Sequence, residues 1–167
     1  MHFTTECSAP LGMKNRLITD ARITASSQWD SNHAVIQARL NFKAGGGKQG
    51  GWSARWNDHS QWIQVALSSY TKLTSIATQG RNGHSQWVTK YKLLYSDDGV
   101  NFYYYRAAGQ SWPTVKQYPS VNFIHYWTHS SRSSQSITTS RPLYLGWFVF
   151  PVHPTWWYSW EFLLSNF

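Results

Sequence analysis

The chain has 167 residues, enough for one domain with a real core and too few for two ordinary ones. Aromatic side chains make up 17% of it and charged ones 13%, about half the usual charged share, with a net charge of +8. The aromatic excess favours an all-β protein, and the charge favours anionic partners such as acidic lipids, sulfated glycans or nucleic acid. No segment reaches the roughly 20 apolar residues of a membrane span.

The N-terminal half predicts strands separated by long polar loops. Residues 23–25 are typical of a strand end, and the turn-rich run 26–33 is polar except for Trp29. The run "WIQVAL", residues 62–67, alternates with the period of a half-buried strand. "LTSIATQG" then predicts a second strand, which ends at Gly80.

A hairpin is the clearest local prediction. "YKLLYSDDGVNFYYYR" has two strand-like runs around Asp97, Asp98 and Gly99, and an Asp-Gly pair tolerates the positive φ of a tight turn. Residues 41–61 and 79–86 are rich in Gly and polar side chains, which predicts two exposed loops.

The C-terminal third is nearly uncharged. By composition, Thr128 to Ser140 forms a flexible loop, and the apolar run 141–164 supplies one or two buried strands. No segment has a convincing helical period. An antiparallel β-sandwich or jelly roll follows from these elements.

The sequence predicts neither a catalytic centre nor a metal site. The seven carboxylates form no spaced pair outside the turn at Asp97 and Asp98, and the seven histidines lack the spacing of a zinc site. "AGGGKQGG" lacks the spacing of a phosphate loop. Cys7 is the only cysteine, so no internal disulfide can form.

Trp29 has two interpretations that the residues themselves leave open. Most tryptophans in β domains belong to the core or its rim. The alternative is a side chain held out for a partner, because the loops also carry bases at Lys43, Lys48 and Arg55, and at Arg81 beside His84. A sandwich can gather such loops at one end. Aromatic tips among bases suit a membrane interface or a sugar face.

Six motifs occur in the order and spacing of one known family: "CSAPLGMKN", "ITASSQW", "ARLN", "GWSARWNDHSQWIQVAL", "IATQGR" and "WVTKYKLLYSDDGVNF". From Cys7 to Arg106 the chain resembles the discoidin domain, also called the coagulation factor V/VIII type C domain. The resemblance implies a galactose-binding-domain-like β-sandwich jelly roll. It also implies a non-catalytic extracellular adhesion module that binds anionic phospholipid or glycan through loops at one end. It implies no cofactor and leaves a structural calcium ion open.

The resemblance also assigns residues to the ligand-binding loops. The first loop holds Trp29 and Asp30, and the others hold Lys43, Lys48, Ser53, Asn57, Arg81 and His84. The sequence departs from the family mainly after Arg106. Ser165 stands about where the family has a second cysteine, and Ala66 replaces an acid in the strand after Trp62. We therefore expect one domain over residues 1–167, with residues 107–167 divergent.

These expectations give a ranked set of partners. An anionic phospholipid surface or a cell-surface glycan comes first, and a protein partner or receptor without lipid or sugar binding is the alternative. Nucleic acid is supported only by charge, because no nucleic-acid motif accompanies it. The expected location is extracellular or at the cell surface, although residues 1–15 do not have the pattern of a signal peptide. We expect the domain to act as one module of a larger chain or in an oligomer.

Overall fold

The structure is a computed structural model of the chain. It describes residues 9–67, 73, 75–88, 90–106, 110–111, 115–117, 125–128, 144–150 and 165–166. In these ranges, no helix has both the length and the apolar character to cross a membrane.

Short antiparallel strands dominate the described residues. They are β1 Ala9–Pro10, β2 Ile23–Ala25, β3 Gln61–Ala66, β4 Ser75–Thr78, β5 Lys90–Ser96, β6 Tyr103–Tyr104, β7 Val115–Gln117, β8 His125–Thr128, β9 Tyr144–Phe150 and β10 Ser165–Asn166. The helical segments among the described residues are 3-10 turns at Asp20–Arg22, Ser31–His33 and Val35–Gln37. The predicted all-β class is therefore confirmed.

The largest sheet has the order β2-β3-β9-β5-β6, and β7 also pairs with β5. A second sheet contains β4 and β8, and β1 pairs with β10. Ile76 of β4 belongs to the same buried cluster as Ile63 and Val65 of β3. The six-stranded sheet and the β4–β8 sheet therefore share one hydrophobic core, which is the arrangement of a sandwich.

Strand β3 confirms the predicted alternation. Ile63 and Val65 are fully buried, while Trp62, Gln64 and Ala66 on the other face are half-buried. The largest fully buried side chains elsewhere are Trp52, Tyr91, Met13, Leu73 and Ile76. The alternation of residues in the sequence of β3 therefore matches the alternation of buried and half-buried side chains in the structure.

Strand β9 lies in the middle of the largest sheet. It pairs along its length with both β3 and β5. This confirms that the apolar C-terminal run contains a strand. Thr128 closes β8, and the rest of the predicted flexible loop up to Ser140 lies outside the described residues.

The register of β9 defines two ends of the sandwich. Gln61 and Lys90 lie opposite Val149 and Phe150, at one end. Residues 26–34, 41–60 and 79–86 belong to this end, and we call it the three-loop end. Tyr144 lies opposite the other termini of β3 and β5, and the turn 96–102 follows there. We call this the hairpin end.

The predicted hairpin is confirmed. Strand β5 pairs with β6 through Leu94 opposite Tyr104, and the turn between them has Gly99 at φ +75°. At the chain termini, Pro10 lies opposite Ser165. Cys7 lies outside the described residues.

Buried Arg39 anchors the start of the second loop. Its guanidinium donates to the carbonyl oxygens of Met13 at 2.6 Å and Ile18 at 2.8 Å, and to the carboxylate of Asp20. A buried charge is tolerated only when it is paired and hydrogen-bonded, and these four bonds meet that condition. The chain therefore enters the second loop from a fixed position.

Candidate ligand-binding surface

The first and second loops are joined around a buried indole. The backbone N–H of Trp29 donates to the carbonyl of Ser53 at 2.8 Å, and the N–H of Ser53 donates to the carbonyl of His33 at 3.3 Å. Trp52 is fully buried, and its Nε1–H donates to the carbonyl of Ser27 at 2.9 Å, as a buried indole requires. The Trp29 backbone is thus fixed, while 44% of the Trp29 side chain stays exposed.

Asp30 shapes the turn that follows Trp29. Its Oδ1 accepts from the N–H of Asn32 at 2.8 Å and from Nδ1 of His33 at 2.6 Å. It thereby caps the 3-10 turn Ser31–His33. The hydrogen bond from His33 is the main cause that lowers the pKa of Asp30. Asp30 is therefore an ionised group that already holds internal partners.

A glycine-rich turn brings the second loop back to the first. Gly45 pairs with Lys48, and the intervening Gly46 and Gly47 have φ of +57° and +79°, which favours glycine. The ammonium of Lys48 donates to the carbonyl of Ser31 at 3.2 Å. Lys48 is exposed, as is Lys43 earlier in the loop. The turn thus places Lys48 beside the first loop.

Arg81 joins the third loop to the second. Only 6% exposed, it donates through Nη1 to Oε1 of Gln86 at 2.7 Å and through Nη2 to Oε1 of Gln49 at 2.5 Å. The N–H of Asn82 also donates to the carbonyl of Gly50 at 3.0 Å. A Cβ at Gly50 would lie 2.3 Å from the Asn82 oxygen, so this contact requires glycine. Desolvation lowers the pKa of Arg81, but Asp30 opposes the shift and the guanidinium stays charged.

His84 lies at the exposed tip of the third loop. Its backbone N–H donates to the Arg81 carbonyl at 3.4 Å, and its own carbonyl accepts from Gln86. Desolvation, followed by the charges of Arg81 and His33, lowers the pKa of the His84 imidazole from 6.5. His84 is therefore mostly neutral at neutral pH and gains its charge only in more acidic solution.

The structure places all eight sequence-assigned residues at the three-loop end. Exposed side chains belong to Trp29, Asp30, Lys43, Lys48, Asn57 and His84. Ser53 and Arg81 are buried and connect one loop to another. Ligand contact by any of the eight stays a prediction.

Trp56 is an exposed indole that the sequence analysis did not single out. It is 56% exposed, and the guanidinium carbon of Arg55 lies 5.2 Å from its ring centroid. The backbone N–H of Arg55 donates to Oγ of Ser27 at 3.0 Å, so Trp56 follows a residue attached to the first loop. Its signal was the one that marked Trp29, namely a tryptophan within a polar run. Gln49, Gln86 and His33, which connect the loops, carry no comparable signal.

In the part of the chain that the structure describes, no three His, Cys, Asp or Glu side chains come together as a metal-binding group. The geometry that is present consists of exposed indoles and bases on a hydrogen-bonded loop framework.

Comparison with known proteins identifies the family. The F5/8 type C domain model matches residues 22–138, more than half of the chain. The chain belongs to the F5/8 type C domain family. The matched residues extend past Arg106, where the resemblance carried by the six sequence motifs ends. Whether residues 107–167 are divergent stays a prediction.

Curated relatives agree with this assignment. Lactadherin of Rattus norvegicus is 41% identical over 110 residues, covering 63% of this chain and 26% of that protein. The Homo sapiens protein named EGF-like repeat and discoidin I-like domain-containing protein 3 is 43% identical over 127 residues, covering 71% of this chain and 26% of that protein. The chain thus spans about a quarter of the length of these relatives.

Solved structures confirm the jelly-roll fold. Discoidin II of Dictyostelium discoideum matches with a TM-score of 0.70 at 23% identity, covering 86% of this chain and 54% of that chain. The family 32 CBM of C. perfringens NanJ, solved in complex with galactose, matches with a TM-score of 0.60 at 17% identity, covering 89% of this chain and 97% of that chain. The predicted galactose-binding-domain-like sandwich is therefore correct.

Proposed function

We propose that the three-loop end is a non-catalytic surface that binds anionic phospholipid outside the cell. One observation carries the proposal: Trp29 and Trp56 are both strongly exposed on segments that hydrogen bonds join, while Trp52 between them is buried. The fold therefore buries one indole of this region and leaves about half of each of two others exposed. Indoles favour the interface between water and lipid, where their apolar ring and polar N–H both find partners.

Charge at the same end favours an anionic membrane. Lys43 and Lys48 are exposed there. Lys48 uses one N–H on the Ser31 carbonyl, and an ammonium has further donors for a phosphate or carboxylate oxygen. Buried Arg81 binds Gln86 and Gln49 through its two Nη atoms, and its charge adds positive potential to this end.

The magnitudes predict weak binding by one module. Partial burial of each indole contributes about 2 kcal/mol. Each lysine adds roughly 1 kcal/mol near an anionic surface. The sum is on the order of 6 kcal/mol, so stable attachment to a membrane requires a second module or an oligomer.

A glycan is the second candidate, because an exposed indole face can also stack on a sugar ring. The NanJ module that shares this fold was solved with galactose. Binding of a neutral sugar would not depend on the lysines and would be insensitive to salt, whereas binding to an anionic membrane weakens as salt screens the charges. Salt dependence therefore separates the two candidates.

Co-sedimentation with liposomes tests the proposal. The purified chain is mixed with vesicles of phosphatidylcholine alone or with added phosphatidylserine, at low and at physiological salt. We expect pelleting that requires phosphatidylserine and weakens with salt. Equal pelleting with both lipids, or none from folded soluble protein, would contradict the proposal and turn attention to glycans and protein partners.

A further inference from the structure

The third loop carries a chemically reactive dipeptide that the binding function does not use. Asn82–Gly83 is the only Asn-Gly step in the sequence. We propose that Asn82 is a site of spontaneous deamidation, which adds a negative charge to the three-loop end and weakens the link between its second and third loops. The proposed chemistry is independent of any ligand.

The geometry leaves both reacting groups available. Asn82 is exposed, and Gly83 has φ +78° with no heavy atom within 4 Å of the position where a Cβ would stand. Among the hydrogen bonds of the described residues, the Asn82 N–H is held by Gly50, but neither the Asn82 carboxamide nor the Gly83 N–H has a partner. Glycine also puts no side chain in the way of its own nitrogen.

The reaction needs only water. The amide nitrogen of Gly83 loses its proton and forms a bond to Cγ of Asn82. The Cγ–Nδ2 bond breaks, and ammonia leaves with the proton, so that a five-membered succinimide remains. Water then opens either carbonyl of this ring, which gives aspartate or isoaspartate at position 82. No oxidation or reduction takes place.

The hairpin end contains a matched step that the fold protects. In Asp98–Gly99, the Gly99 N–H donates to Oγ of Ser96 at 2.9 Å, so the nucleophile is held. The Asp98 carboxylate accepts bonds from Ser96, Val100 and Asn101. These bonds hold the pKa of Asp98 far below its usual range, and an ionised carboxylate is a poor electrophile. The two glycine steps therefore differ in the features that control the reaction.

Deamidation would change the loop framework in two ways. The new carboxylate would lie next to Arg81 in the chain, in a region that we propose attracts anions. Isoaspartate also adds a methylene to the main chain at the residue whose N–H bonds Gly50, in a contact too tight for a Cβ. Weaker binding to anionic membranes follows from both changes, and this consequence alone rests on the proposed function.

Peptide mapping of the aged protein tests the chemistry. The folded full chain is incubated in mildly alkaline buffer, digested with trypsin and analysed by mass spectrometry over time. Cleavage after Arg81 and Lys90 isolates Asn82–Gly83 in "NGHSQWVTK", and cleavage after Lys92 and Arg106 isolates Asp98–Gly99. We expect steady loss of the parent 82–90 peptide to aspartyl and isoaspartyl forms, while the 93–106 peptide stays unchanged.

Two control samples complete the peptide-mapping experiment. The variant Asn82→Gln keeps an amide but cannot close the same five-membered ring readily, so its peptide should persist. A urea-unfolded sample reports the rate without the fold. If the parent 82–90 peptide persists in folded protein while it converts in the unfolded sample, the proposal is overturned.

The effect of deamidation on membrane binding is measured separately from the deamidation reaction. Fresh Asn82→Asp protein should elute earlier from a cation-exchange column than wild type and should pellet less with phosphatidylserine vesicles at low salt. Aged wild type should show both shifts, and aged Asn82→Gln neither. If Asn82→Asp pellets as well as wild type does, the proposed effect of deamidation on membrane binding is overturned. Failure of fresh wild type to pellet would instead count against the proposed function, and peptide mapping would still decide the chemistry.

Discussion

The two ends of the sandwich are built from different kinds of contact. At the hairpin end, the turn is closed locally, because Ser96 and Asp98 bond groups no more than three residues away. At the three-loop end, the connecting bonds join distant segments, such as Arg81 to Gln49 and Trp52 to Ser27. The hairpin is therefore encoded by a few neighbouring residues, whereas the loop surface exists only in the folded domain.

Both regions expose aromatic side chains, which are tryptophans at the three-loop end and tyrosines on the hairpin side. Trp29 and Trp56 are exposed at the three-loop end, and the Arg55 guanidinium lies against the Trp56 ring. On the hairpin side, Tyr103 and Tyr104 are exposed on β6, and the Lys92 ammonium lies 5.2 Å from the Tyr104 ring centroid. Both regions thus combine aromatic rings with positive charge. Variants on the hairpin side are therefore matched controls for the proposed binding surface.

The largest expected effect comes from Trp52, which supports the loop surface from within. Trp52→Ala should lower the free energy of unfolding by about 3–5 kcal/mol, because it empties a buried site and leaves the Ser27 carbonyl without its donor. Urea denaturation measures the change. The control Trp56→Ala, at an exposed site, should stay within about 0.5 kcal/mol of wild type. Similar losses for both would contradict the division between buried and exposed indoles.

Trp29 should matter for binding and little for stability. Trp29→Ala should weaken binding to phosphatidylserine vesicles by about 2 kcal/mol, or about 30-fold, since the indole no longer enters the interface. Vesicle titration gives the affinity, and thermal unfolding gives Tm. Tyr104→Ala, at a site of similar exposure (40% against 44%), should leave the affinity unchanged. A fall in Tm with Trp29→Ala that accounts for the lost binding would assign Trp29 to the core.

A smaller, salt-dependent effect is expected from Lys43. Lys43→Gln should weaken vesicle binding by about 1 kcal/mol, or about fivefold, at low salt, and by less as salt screens the surface. The same titration at several salt concentrations checks this. Lys92→Gln, on strand β5 and outside the three loops, is the control with the same change in net charge. Equal losses for the two variants would show that net charge, and not its location, governs binding.

The smallest effect concerns pH. The pKa of His84 is lowered from 6.5 in the folded domain, so protonation adds a positive charge to the third loop only below that pH. Membrane binding should therefore strengthen as pH falls through the lowered pKa. The lowered pKa of His84 contributes to the stability of the folded state. This contribution is complete above pH 6.5 and is lost as the pH falls through the lowered pKa. Vesicle binding and Tm are followed against pH, and His84→Ala should reduce both trends. If His84→Ala keeps the pH dependence of wild type, protonation of His84 does not cause these trends.

The contrast between the ends also explains how much the sequence could predict. The alternation of Ile63 and Val65 and the Asp98–Gly99 step are local signals, and the structure confirms the strand and the hairpin that they predict. The polar neighbours of Trp29 predict a loop, and Trp29 lies in one; they leave the exposure of its side chain open, and the structure shows that side chain exposed. These features need no knowledge of distant residues.

The loop framework could not be predicted in the same way. The sequence marks Arg81 as a loop base, but the structure buries it and pairs it with Gln49, more than thirty residues earlier in the chain. Ser53 is likewise buried, because its backbone joins Trp29 to His33. Polar residues in a glycine-rich run look exposed in sequence, and only tertiary contacts decide which become connectors.

Hydrogen–deuterium exchange on membranes tests the central claim most directly. Amide exchange of the intact chain is compared with phosphatidylserine-containing vesicles, with phosphatidylcholine vesicles and in solution. The account predicts added protection in residues 27–33, 43–48 and 55–57 only with phosphatidylserine, and none in residues 96–104. Protection confined to residues 96–104, or spread equally over both ends, would contradict a binding surface at the three-loop end.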